Sequence, residues 1–270
     1  MKPLRIMVSR HSAFYSPLIS TIAAGFLERQ GHTAEYSILA PGQRSSTLIR
    51  EGAVDIMQSA VSSNWKPMEQ EESPLPVHFA SINQRDGFFL VAREPDPSFN
   101  WKKLEGRRLL ADRGLQPFTM LKHAARYNGV DWERVQVVDA GGDYVHRQAP
   151  GAGDIVASVG ESIPPVAFSS LCCSREFLKT EACRSFLEAF KQAREWVRAA
   201  PAEEVARAEA EFFPKVTEEA LAAAIRRYQR VGCWDGGAQI TRELYEQAMN
   251  VFESEGEIAR RHLYEEVCQT

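Results

Sequence analysis

Leu104-Glu105-Gly106-Arg107-Arg108-Leu109-Leu110-Ala111 runs into the turn Asp112-Arg113-Gly114 and then into a helical stretch, Pro117 to Asn128, closed by Gly129. A short apolar run, a glycine turn and a helix open a parallel α/β unit, and Val135 to Val138 supplies its next strand. Toward the N-terminus, Leu4 to Asp55 already describes another such unit. Leu4 to Ser9 reads as a strand. Ser16 to Gln30 reads as one helix, with Pro17 in the first turn where its missing amide proton costs nothing, the stripe Leu18, Ile22 and Phe26 at helical spacing, and Gly31 at the end. Thr33 to Ile38 alternates as a second strand, Ser45 to Glu51 is a short helix stopped by Gly52, and Asp55 to Ser59 is a third strand. This β-α-β-α-β order implies parallel strands joined by right-handed crossovers. Two such units, each with its own core and tethered by crossing chain, enclose a cleft, and a cleft between domains is where a small ligand is held.

The rest of the chain fits around that plan. Trp65 to Glu72 reads as a helix. Val77 to Asn83 and Gly87 to Ala92 are apolar runs joined by Gln84-Arg85-Asp86, which marks the first crossing. Ile155 to Ser158 reads as a further strand and Val166 to Leu171 as the return crossing. From Arg175 onward the chain is helical. Thr180 to Ala199 carries Phe186, Ala189, Phe190, Ala193 and Val197 on one face, Thr217 caps a helix with Glu218 and Glu219 in its first turn, and Thr241 to Glu255 is the last long helix.

Composition narrows the function classes. The 270 residues are 44% hydrophobic and 25% charged, which supports a real core. A net charge of −4 with both signs interspersed excludes a broadly basic nucleic-acid surface. No apolar run is long enough to cross a bilayer, so membrane insertion is not expected. Met1-Lys2-Pro3 leads straight into the first strand without a signal-peptide pattern. The expected location is periplasmic or extracellular if a signal has been removed, and cytoplasmic otherwise. The five cysteines form no Cys-x-x-Cys pair, and Cys172-Cys173 are adjacent, where a disulfide would be strained; buried thiols are expected.

Signals for catalysis are poor. Gly160-Glu161-Ser162-Ile163-Pro164 lacks the final glycine of a nucleophile elbow. Gly151-Ala152-Gly153 is not followed by the third glycine of a dinucleotide fingerprint, there is no phosphate-loop lysine, and the six histidines lack zinc spacing. No catalytic residue, metal or cofactor is expected.

The order of the first strand, the turn His11-Ser12-Ala13-Phe14-Tyr15, Ser16-Pro17-Leu18, Gly25-Phe26-Leu27, Gly31, Gly52-Ala53-Val54-Asp55-Ile56, Leu104-Glu105-Gly106-Arg107-Arg108 and Arg175-Glu176-Phe177-Leu178 resembles solute-binding proteins of the nitrate, sulfonate, taurine and thiamine-pyrimidine group, the NMT1/THI5-like family. The resemblance implies the type II periplasmic-binding-protein fold, with two α/β lobes, two hinge crossings and a ligand between the lobes. It implies residues 1–88 with 170–270 as lobe 1 and 89–169 as lobe 2. Between Gly141 and Gly153 the chain is short for the helix and strand that the family places there, and Leu171-Cys172-Cys173 holds only part of the cysteine-rich run of the fungal pyrimidine synthases. The implied function is the substrate-binding protein of an ABC-type importer, taking a small organic, anionic or heteroaromatic solute, with an ABC permease as partner if the chain is exported. The alternative is a cytoplasmic enzyme on the same fold, like the thiamine-pyrimidine synthases or the menaquinone-pathway enzymes.

In such a fold the ligand meets loops at the C-terminal ends of the parallel strands. These supply Arg10, His11, Ser12, Phe14 and Tyr15 after the first strand, Gln43 after the second, Gln58 and Ser59 at the third, Arg85, Asp86 and Phe88 at the hinge, and Asp112, Arg113, Gly114 and Gln116 in the second lobe. Arg10, Arg85 and Arg113 are candidate bidentate donors to an anion, and the helix starts near Ser16 and Pro117 favour the same charge. Phe14, Tyr15 and Trp65 are candidate stacking surfaces for a planar ring.

Overall fold

The structure, a computed structural model, describes residues 3–140 and 153–269. The segment 141–152, where the sequence is short for the family pattern, lies outside the described residues. Five strands form the main sheet: β1 (Leu4–Val8), β2 (Ala34–Ile38), β3 (Ile56–Ser59), β4 (Val77–Asn83) and β9 (Ser169–Cys173). Their order is β2-β1-β3-β9-β4. β1 pairs parallel with both β2 and β3, as the β-α-β-α-β reading requires, whereas β9 runs antiparallel between β3 and β4. β9 is thus the return segment itself, threaded into the first sheet between β3 and the edge strand β4, and all five of its residues are buried.

The second unit holds two short sheets among the described residues. β5 (Phe89–Ala92) pairs antiparallel with β8 (Asp154–Ser158), and β6 (Arg108–Ala111) pairs parallel with β7 (Gln136–Asp139).

Local sequence explains most helix boundaries. The expected Ser16–Gln30 helix is broken into α1 (Ser16–Ala23) and α2 (Phe26–Arg29), because Gly25 takes a left-handed φ of 71° between them. α3 (Ser45–Arg50) and α4 (Trp65–Glu69) follow, then α5 (Leu115–Tyr127), which starts two residues ahead of Pro117. The C-terminal part carries α6 (Arg175–Leu178), α7 (Glu181–Ala199), α8 (Ala202–Glu209), α9 (Glu218–Val231), α10 (Arg242–Ser254) and α11 (Tyr264–Val267). Thr180, Thr217 and Thr241 each accept an amide hydrogen bond at the start of α7, α9 and α10.

α7 lays Phe186, Ala189 and Phe190 against Ile6, Leu18, Phe79 and Leu171 on one face of the main sheet. Leu90, Leu104, Ala125, Val130 and Val135 form a small core of the second unit. The expectation of two wholly separate cores does not hold, because one cluster joins Phe14, Val61 and Trp65 to Met120 and Ala124 of α5, to Val159 and Ile163, and to α8, α9 and α10.

Candidate functional site

The two crossings lie side by side. Phe168 N donates to Asn83 O at 3.2 Å, Val166 N to Gln84 O at 2.9 Å and Val159 N to Phe88 O at 3.1 Å. Arg85 fastens them, its Nη1 donating to Gly160 O at 2.6 Å and Ile163 O at 3.3 Å. Two glycines allow the close approach. A Cβ on Gly160 would sit 2.1 Å from the Asp86 carbonyl oxygen, and one on Gly87 would sit 2.4 Å from the Phe14 ring.

Above this hinge the C-terminal ends of β1, β3 and β6 converge. Gln58 is buried and its Oε1 accepts from both Ser9 N, at 3.0 Å, and Ser9 Oγ, at 2.6 Å, so it locks the β1 end to the β3 end. Past that lock Arg10 reaches across to the second unit, where its Nη2 lies 3.4 Å from Asp112 Oδ2. Asp112 Oδ1 accepts from Gly114 N at 2.8 Å, which shapes the turn into α5. A second bridge runs from Ser62 Oγ to Gln116 Oε1 at 2.6 Å, and Gln116 Nε2 donates onward to Phe168 O at 2.8 Å. Ser59 Oγ and Ser63 Oγ lie 2.9 Å apart on the open side of the β3 end. One cation, one carboxylate, several hydroxyls and an amide therefore face one another between the units. Such a set can hold a small polar molecule by hydrogen bonds and by one charge contact of either sign.

Aromatic groups back the polar rim. Burial pushes the Tyr15 phenol up to about 12, although Ser9 hydrogen-bonds it, and raises the Tyr228 phenol, which hydrogen-bonds Ser12. Asp86 is buried close by. Its Oδ1 accepts from Phe88 N at 2.6 Å, its Oδ2 has no hydrogen-bond partner among the described residues, and burial lifts the carboxyl to about 7.

The remaining candidates are spent within the protein. His11 lies with Nε2 2.8 Å from Phe212 O and Nδ1 2.9 Å from the Tyr36 hydroxyl. The carbonyl can only accept, so Nε2 carries the proton and Nδ1 takes the Tyr36 proton; burial lowers the imidazole pKa in keeping with that neutral form. Phe14 is buried among Tyr15, Phe168 and Tyr228. Gln43 Oε1 accepts from Ala40 N at 2.9 Å, and Gln43 lines a surface cavity with Arg44, Ser63 and Asn64, at the edge of the bridged region. Arg113 is exposed, and its Nη2 donates to Val137 O at 2.9 Å. Trp65 is fully buried and donates Nε1 to Tyr245 Oη at 3.0 Å, so it packs rather than lines an open face. At the start of α1 the Ser16 hydroxyl points at Glu209, leaving a protein carboxylate where an anion was expected.

Ser62 and Tyr228 were missed. Ser62 follows β3 in an Ala-Val-Ser-Ser run that topology alone could have flagged; Tyr228 comes from α9, far away in sequence.

Comparison with known proteins bears on this geometry. No family model matches the chain. YtlA of Bacillus subtilis (strain 168), named as a candidate binding protein, is 24% identical over 283 residues, 95% of this chain and 84% of YtlA. The periplasmic aliphatic sulphonate binding protein SsuA from Escherichia coli superposes with a TM-score of 0.69 at 14% identity, covering 100% of this chain and 92% of SsuA. The chain has the type II periplasmic-binding-protein fold. The ligand binding component of an ABC-type import system from Staphylococcus aureus, solved with zinc bound, superposes equally well, at 0.69 and 12% identity over 100% of this chain and 97% of that one. Among the described residues no group of three His, Cys, Asp or Glu side chains is placed to hold a metal, and no helix is long and apolar enough to cross a membrane.

Proposed function

We propose that this chain is the substrate-binding protein of an ABC-type importer, of the nitrate, sulfonate, taurine and thiamine-pyrimidine kind. It takes a small organic solute, anionic or heteroaromatic, between a lobe of residues 1–88 with 170–270 and a lobe of residues 89–169, and presents the closed form to a permease outside the cytoplasm. The supporting observation is the pair of bridges across the strand ends, Arg10 to Asp112 and Ser62 to Gln116. A solute that replaces such bridges touches both lobes only when they are shut, which is the differential contact that drives closure. YtlA and the two solved structures, all named for binding, agree with this reading.

Native mass spectrometry of freshly purified protein is expected to show a retained small molecule in one-to-one ratio. Turnover of that molecule on incubation would mark the enzyme instead. With the solute identified, calorimetry on Arg10→Met is expected to show at least a tenfold loss of affinity, about 1.4 kcal/mol. Unchanged affinity would remove Arg10 from the site.

A further inference from the structure

α5 meets the other lobe through the Gln116 bridge at the cleft, through Met120 and Ala124 in the shared core, and through a polar cluster away from the cleft. Beyond the Gln116 bridge, one face of its C-terminal half converges on Glu255, the residue that follows α10. Arg126 Nη1 lies 2.6 Å and Lys122 Nζ 3.2 Å from Glu255 Oε2, and Lys122 Nζ also donates to Glu255 O at 3.3 Å. His123 Nδ1 sits 3.6 Å from Glu255 Oε1 and 3.1 Å from Ser254 Oγ. The Glu255 side chain is 2% exposed, whereas its three partners keep one edge in solvent. Arg126 is shared at 3.5 Å with Glu133, which is exposed.

The two sides of this cluster belong to different lobes. α5 connects β6 and β7 of the second unit. α10 is tied to the first unit through Trp65, which donates to Tyr245 and stacks edge-on against Phe252 at 4.9 Å. No covalent crossing passes through the cluster, so nothing in the backbone requires these charges to meet.

We propose that Glu255, with Lys122 and Arg126, is an interlobe clasp whose strength sets the balance between the shut and opened arrangements of the lobes. The inference rests on the binding reading only in that closure is what the clasp would tune. While the lobes are together the Glu255 carboxylate is desolvated beside two cations, and each group regains water when they part; the pairing offsets that desolvation, and removing one partner leaves the others uncompensated. Apparent affinity scales with the fraction of molecules in the competent arrangement, so the clasp acts on solute affinity without touching solute.

The test needs no solute. Small-angle X-ray scattering and hydrogen exchange by mass spectrometry are run on the full chain. For Glu255→Gln we expect a larger radius of gyration and exchange faster by about tenfold or more in α5 and around Ser62, with β1 to β3 unchanged. Raising salt from about 0.1 M to about 1 M, which shortens the screening length from about 10 to about 3 Å, should move the wild type in the same direction but by less, since a largely buried pair is screened less than an exposed one. Arg198→Met, which breaks the exposed Arg198–Glu195 pair within α7, should change neither readout. If Glu255→Gln also speeds exchange in β1 to β3, it has lost the fold, and the milder Arg126→Met decides. Wild-type scattering and exchange in a folded Glu255→Gln, or in Arg126→Met where that decides, overturns the clasp. A clasp variant that opens while no solute is found by native mass spectrometry leaves the clasp standing and the import reading fallen.

Discussion

Trp65→Ala is expected to destabilise the protein by about 3–5 kcal/mol, the range for removing a large buried aromatic. Trp65 is fully buried where α4 meets α10, with Phe252 and Tyr245 packed on its ring edge-on at 4.9 and 5.8 Å. Its Nε1 donates to Tyr245 Oη, and Tyr245 in turn donates to His262 O at 3.0 Å. Alanine would open a cavity among side chains that come from both ends of the chain, where no single element can relax to fill it. It would also release the turn Val61–Asn64, which immediately precedes α4 and carries Ser62 to Gln116. Trp65→Phe keeps most of the ring but leaves Tyr245 Oη without its donor, at a cost of about 1 kcal/mol from that bond. Urea denaturation midpoints at constant slope separate the two variants. Equal midpoints for wild type and Trp65→Ala would mean that the C-terminal helices do not stabilise the first lobe through this contact.

The sequence carries such local features well and long-range ones badly. β1 is legible because Leu4, Ile6 and Val8 alternate with half-buried residues, and the starts of α7, α9 and α10 are legible because a threonine stands one residue ahead of each. The break at Gly25 is not, since a helix tolerates an isolated glycine and only packing selects the left-handed turn. The antiparallel course of β9 is hidden for a different reason. Cys172 pairs with Met57 on one side and His78 on the other, and pairing across that much chain leaves no periodic trace. Topology names the loops that carry Arg10, Asp112 and Gln116, and these residues make the bridges between the units. Which way a loop side chain turns is not encoded nearby. His11 and Arg10 are neighbours, yet His11 turns back onto Phe212 and Tyr36 while Arg10 crosses to Asp112. Tyr228 reaches Ser12 only because α9 folds over the hinge.

Glu209→Gln should flatten the alkaline side of the stability profile. Glu209 is fully buried between α8 and α1, with Oε1 2.6 Å from Ser20 Oγ and Oε2 2.8 Å from Ser16 Oγ. Ser16 Oγ also lies 2.8 Å from Ala13 O, which can only accept. The hydroxyl has one proton, so when Ser16 gives it to Ala13 O the remaining bond needs a proton from Glu209. The geometry thus accommodates the carboxylic acid, and burial lifts its pKa from 4.5 to about 8. A carboxyl raised in the folded state binds its proton there after the unfolded chain has lost it. Its stabilisation is full below about pH 4.5 and is lost as pH rises through 8, on the order of 5 kcal/mol in all. Two buried groups overlap with it at lower pH. Asp86, raised from 3.8 to about 7, loses stability over that interval, while His78, lowered from 6.5 to about 3, loses it as pH falls. Cys172, Cys233 and Cys268, whose thiols are pushed above 9, add their loss only as pH rises through that value. Between about pH 7 and 8, Glu209 is therefore the larger contributor to the slope, roughly 1 kcal/mol per pH unit, with a smaller share from Asp86. Glutamine keeps both contacts, accepting from Ser20 and donating to Ser16, and carries no titrating proton. Urea unfolding of the wild type at pH 7 and pH 8 should show the fall, and Glu209→Gln should show a clearly smaller one, the remainder coming from Asp86. The same slope in both proteins would mean that Glu209 is ionised in the fold, with the Ser16 proton turned toward it and Ala13 O left to another donor.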